Sequence, residues 1–124
     1  MPENPFDSIE DPQLSPFLKG KSDQTLALLK GFYTACANLT PVAIRTTKSM
    51  ISIGTPSGQV WVTQLGKNFV HIIFPFKEPY HDNLCFTKIA QVPGQQQYNH
   101  HFRMYQLDDV NEEVTVFLKR ALIN

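Results

Sequence analysis

The residues of this chain with chemistry beyond packing include four histidines, two cysteines, eleven lysines and arginines and one run of carboxylates. They concentrate most in Tyr98-Asn99-His100-His101-Phe102-Arg103-Met104-Tyr105. Adjacent histidines suggest a metal, but consecutive residues of a strand point to opposite faces, so His100 and His101 do not serve one ion. His71 with His101 across strands, and His81 with Asp82, are the remaining pairs. Neither has a defined ligand spacing, and no metal and no cofactor are expected. His100 shares a side with Phe102 and Met104, so it is expected at the edge of the core with a hydrogen-bond partner.

A nucleophile would be Cys85 with His71 or His81 as base, yet no motif orders a base or an oxyanion hole around it. Cys36 and Cys85 form no CxxC pair and follow no secretory signal, so both read as small buried apolar residues. Asp108, Asp109, Glu112 and Glu113 open a helical pattern, where they offset the helix dipole, and Asp109 with Glu112 has capping-box spacing. Gly54-Thr55-Pro56-Ser57-Gly58 lacks the lysine and the following helix of a phosphate loop. An enzyme using His71, His101 or Cys85 therefore rests on residue types alone.

The elements that position these residues come from periodicity. At 124 residues the chain fits one domain with one core. Eleven basic and eleven acidic side chains cancel, which removes the long-range field of a non-specific nucleic-acid or lipid binder. The first twenty residues hold four prolines and no signal-peptide pattern. The longest apolar run, Phe69 to Phe76, contains His71 and Pro75 and falls far short of the roughly twenty residues that span a bilayer. A soluble cytoplasmic protein without a membrane partner is expected.

Residues 1–21 read as an extended or partly ordered tail with Phe6, Ile9, Leu14, Phe17 and Leu18. A single α+β domain is expected over 22–124. From Ser22 or Asp23, Leu26, Leu29, Phe32, Tyr33 and Cys36 recur at helical spacing until Asn38, and Pro41 forbids continuation. Gly31 within this helix costs about 1 kcal/mol relative to alanine and suggests close approach to a sheet. Alternating strands follow at 42–47, 50–54, 59–65, 69–74, 84–92 and 98–105, with turns at Thr55-Pro56-Ser57-Gly58, Gly66-Lys67-Asn68 and Pro93-Gly94. Pro75 to Asn83 reads as a surface loop long enough to fold back over something. Val110, Val114, Phe117, Leu118 and Ala121 form one stripe of a final helix. The prediction is a mainly antiparallel twisted sheet of five to six strands, with the N-terminal and C-terminal helices on one face.

Assigning the most apolar set of each strand to the helix-covered side leaves a second set on the other. That set is Arg45, Thr47, Trp61, Thr63, Phe69, His71, His101, Arg103 and Tyr105. Aromatic groups beside arginine and histidine suit planar or anionic ligands. They also suit a protein interface, including one with a second copy of the chain. The ordinary alternative is a solvated sheet face with amphipathic side chains lying flat. The leading expectation is a non-enzymatic binding module on the helix-free face. A second is a nucleic-acid accessory domain using Arg45, Lys48, Lys67 and Arg103 with the neighbouring aromatics, against which the zero net charge counts.

Four stretches carry a family resemblance: Thr46 to Ile53, Val62 to Phe69, Asp82 to Phe86, and Tyr98 to Tyr105. The chain resembles a bacterial domain-of-unknown-function family associated with predicted transport or restriction-linked proteins, and more distantly the YdhG-like proteins. The resemblance covers roughly residues 22 to 122 and implies a twisted antiparallel sheet with helices on one side. It implies no catalytic residue, and directs attention to Arg45, Lys48, His101 and Arg103.

Overall fold

The computed structural model describes residues 4–7 and 12–123. Its centre is one antiparallel sheet of six strands: β1 Ala43–Thr46, β2 Ile51–Thr55, β3 Gly58–Leu65, β4 Val70–Phe76, β5 Lys88–Gln91 and β6 Tyr98–Met104. The spatial order is β1-β2-β3-β4-β6-β5, so β6 pairs beside β4 and β5 closes the far edge. The fold is α+β, with helices α1 Ser15–Leu18, α2 Asp23–Leu39 and α3 Glu112–Leu122.

Alternation along the strands builds the core. Ile51, Ile53, Val60, Val62, Val70, Ile72, Phe74, Phe102 and Met104 are buried on one face, against Leu26, Leu29, Phe32 and Cys36 of α2 and Val114, Phe117 and Leu118 of α3. Phe74 is the hub of an aromatic cluster, with Phe86 at 5.4 Å, Phe102 at 6.1 Å and Phe32 at 6.5 Å between ring centroids. The segment before α2 joins this core. Phe6, Leu14 and Leu18 are buried, and Phe6 meets Tyr33 edge-on at 5.8 Å. Ile9 lies outside the described residues.

α2 starts where Ser22 Oγ accepts from the Thr25 amide at 3.1 Å, satisfying an orphan donor of the first turn. α3 starts differently from its expected capping box. Asn111 is its N-cap, accepting from the Val114 amide at 2.9 Å. Asp109 instead accepts from the Tyr105 and Gln106 amides at 2.7 and 3.0 Å and closes a separate 3-10 turn, Leu107–Asp109. Gly31 does allow close approach, but to Leu107 of that turn rather than to the sheet.

Two strand boundaries also differ from the sequence reading. β4 runs on through Pro75 to Phe76, pairing with β6 as far as Phe76↔Tyr98. Its register with β3 ends at Trp61↔Ile73, so the missing proline N–H costs no ladder bond there. β5 is short because Asn83 captures the preceding segment: its Oδ1 accepts from the amides of Cys85 and Phe86 at 3.1 and 2.9 Å.

The loop between β4 and β5 folds back over the helix side, not over the open face. Tyr80 packs edge-on against Phe76 at 5.1 Å and beside Phe117 at 5.6 Å, and the Arg120 guanidinium lies 5.1 Å above its ring. No helix among the described residues is long and apolar enough to cross a membrane.

Candidate functional site: a directed histidine pair on the open sheet face

The register lays one continuous row across all six strands of the open face: Arg45, Ser52, Trp61, Ile73, His101 and Lys88. Strands are spaced by about 4.8 Å, so Arg45 stands roughly 19 Å from His101 along this row. The candidate residues therefore separate. Arg45 borders its own depression with Ser52 and Gln59. Lys48 is exposed in the β1–β2 turn, and Trp61 is half-buried between the two ends. Thr63 sits at a bulge in β3, where its hydroxyl contacts the His71 carbonyl oxygen at 3.4 Å.

The other four candidates come together. His71 pairs with Arg103 across β4 and β6, and His101 lies diagonally opposite. His71 Nε2 is 2.8 Å from His101 Nδ1, and Arg103 Nε donates to His71 Nδ1 at 3.3 Å. The Arg103 guanidinium also lies 4.8 Å above the Phe69 ring, whose centroid is 5.8 Å from that of Tyr105. Thr87 and Lys88, which sequence reasoning missed, complete a depression of about 510 Å³ with His71, His101, Arg103 and Tyr105.

The proton order of this group follows from its geometry. Arginine is always a donor, so His71 Nδ1 is the bare nitrogen and His71 Nε2 carries the proton. His71 Nε2–H then donates to His101 Nδ1, which leaves the proton of His101 on Nε2. The chain runs one way, from Arg103 through His71 to His101. Its last N–H, on His101 Nε2, is not consumed within it.

Electrostatics agree with two neutral rings. Burial is the main cause lowering the His71 pKa from its ordinary 6.5, aided by His101 and Arg103. Burial likewise lowers that of His101, with Lys88 and then His100 adding to it. A neutral pair between two cations offers N–H donors to an anion without an opposing carboxylate among its lining residues.

His100 faces the other way, as expected, and is 0% exposed. Its Nδ1–H donates to the Tyr98 carbonyl at 2.9 Å, and its Nε2 accepts from the Tyr80 amide at 3.0 Å. It thus latches the β4–β5 loop to the sheet and takes no part in the open face. Cys85 is a poor nucleophile. Burial, the charge of Glu113 and a hydrogen bond to that carboxylate push its thiol up to about 12. Cys36 is fully buried, which raises its thiol further still. Among the described residues no three His, Cys, Asp or Glu side chains stand together in a way that would hold a metal.

The signal for the four grouped residues was present in the alternation of β6 and β4. Lys88 gave none, because only the pairing of β5 with β6 brings it opposite His101. No known family, curated protein or solved structure matches this chain.

Proposed function

We propose that the protein is a small non-enzymatic binding module whose open sheet face receives an anionic ligand at His71, His101, Arg103 and Lys88. The observation that carries this reading is the directed chain Arg103→His71→His101, which ends in an unspent N–H beside a lysine. Its two cations, Arg103 on β6 and Lys88 on β5, and the neutral His71 on β4 occupy three neighbouring strands, so the group is positioned by the sheet and not by flexible loops. Tyr105 lines the depression and supplies a ring for a planar substituent, while Phe69 stands beside it under the Arg103 guanidinium. The absence of an activated nucleophile at Cys85 favours binding over catalysis. A kinship with the bacterial domain family named above belongs to the same proposal, as does an intracellular location.

The test is a nuclear magnetic resonance titration with phenyl phosphate at low salt. Binding at this site shifts the resonances of residues 69, 71, 88, 101, 103 and 105 together, and Lys88→Ala and Arg103→Ala each weaken it by about tenfold, as expected for loss of a charge-assisted contact. If the wild-type spectrum does not change, the reading is wrong.

A further inference from the structure

The histidine pair has a second property, which rests on the anion-site reading just given. Between His71 Nε2 and His101 Nδ1, at 2.8 Å, there is room for one proton and no more. The pair has four ring nitrogens. When neutral it holds two protons, one shared in the middle and one on an outer nitrogen. The outer proton belongs on His101 Nε2, because the other outer nitrogen, His71 Nδ1, faces the N–H of Arg103.

A third proton has only one place left. While the central bond persists, it must go to His71 Nδ1, and there two N–H groups would point at each other. Protonation of either ring therefore ends in the same event, release of Arg103 from His71. The guanidinium has somewhere to go: it borders the His71–His101–Lys88 depression on one side and a second depression with Asp109, Glu112 and Glu113 on the other.

The charged and titratable groups around the pair are few. Arg103 lies on the same strand as His101, and Lys88 faces His101 from β5. From β3, the neighbours of His71 are the uncharged Thr63 and Gln64. His100 reaches His101 only through the sheet, from the buried face. Tyr105 stands beside Phe69 at the end of β6. Among the residues that line the depression none carries a negative charge to offset a proton on the pair, and the carboxylates Asp109, Glu112 and Glu113 line the neighbouring depression beyond Arg103. With an anion bound, the balance reverses.

We infer that the site takes up one proton together with a doubly charged tetrahedral oxyanion, a sulfate or phosphate group, and that this proton frees Arg103 from His71 to meet the same anion. The neutral site presents two cations, Lys88 and Arg103, and the protonated site presents three. A monocarboxylate uses that added charge less well than a dianion does.

Sulfate is the probe, because its charge stays constant across the range in which histidine titrates. The experiment is calorimetric titration of the full chain with sodium sulfate at about pH 7.5 and about pH 5.5, where a coupled proton raises affinity by about tenfold or more. Repeating the acid titration in two buffers of different ionisation enthalpy counts the protons taken up, with close to one expected. Sodium acetate serves as the monoanion and is expected to show a much smaller pH effect. His71→Gln, whose side-chain oxygen still accepts from Arg103 but does not titrate, is expected to lose the pH dependence. Its fold is checked by its amide spectrum, and His101→Gln is read in parallel.

Equal affinity for sulfate at both pH values, or no proton uptake, overturns the coupling while leaving the anion site standing. The same pH dependence in folded His71→Gln and His101→Gln overturns its assignment to this pair. Acetate behaving like sulfate overturns the preference for a dianion. No sulfate binding at either pH overturns the anion site and this inference with it.

Discussion

Arg103 Nε donates to His71 Nδ1 at 3.3 Å, and that single contact fixes the tautomers of two histidines. Because the guanidinium has no acceptor, the proton of His71 is driven to Nε2 and from there orders His101. The consequences extend to stability as well as to binding.

His71, His100 and His101 all have pKa values lowered below the ordinary 6.5, in each case chiefly by burial. The unfolded chain therefore binds more protons than the folded one in mild acid. The stability these groups contribute is complete above about pH 6.5 and is lost as pH falls from there through their lowered folded values. Urea denaturation is expected to show stability declining between about pH 7 and about pH 5, with a shallower decline in His71→Gln/His101→Gln. A flat profile for the wild type would contradict the neutral-pair assignment.

The His100 latch has a local readout. Replacing His100 by leucine fills the site with an apolar side chain but leaves the Tyr80 amide without its acceptor and the Tyr98 carbonyl without the ring donor, at a cost of about 1–3 kcal/mol for each group left unpaired. Hydrogen exchange at Tyr80 is expected to accelerate more than at the central β4 amides. Unchanged exchange at Tyr80 would show that the loop is held by its aromatic contacts alone.

Much of this arrangement was legible in the sequence. The alternation His100, Phe102, Met104 against His101, Arg103, Tyr105 assigned the two faces of β6 before any register was known, because strand periodicity needs no partner. Proximity was not legible. Arg45 and His101 share a face yet stand at opposite ends of the row, whereas Lys88 reaches His101 only through the β4-β6-β5 order. Helix starts were ambiguous for a related reason. Asp109 before Glu112 and Asn111 before Val114 both satisfy capping spacing, and the extra 3-10 turn decides for Asn111.

Two glycines make a contrasting pair. A Cβ on Gly58 would run into the backbone carbonyl of Ala121 in α3, which cannot rotate away as the end of a side chain can, so Gly58→Ala is expected to cost more than about 2 kcal/mol. On Gly31 it would meet only the Cδ2 of Leu107, a side chain 56% exposed and able to rotate away. The better helix propensity of alanine, about 1 kcal/mol, offsets that movement, so Gly31→Ala is expected to be close to neutral. Urea midpoints of the two variants distinguish them, and equal midpoints would mean that α3 is free to shift away from the β2–β3 turn.

The most direct measurement is a long-range proton–nitrogen correlation spectrum of the four histidines, recorded without ligand and then with sodium sulfate in mild acid. Without ligand, His71 and His101 should both carry their proton on Nε2, and His100 should carry its proton on Nδ1. Sulfate should move the His101 Nε2 signal and bring His71 Nδ1 into the protonated range while leaving His100 in place. Finding the His71 proton on Nδ1 without ligand, or a His101 ring indifferent to sulfate, would contradict the account.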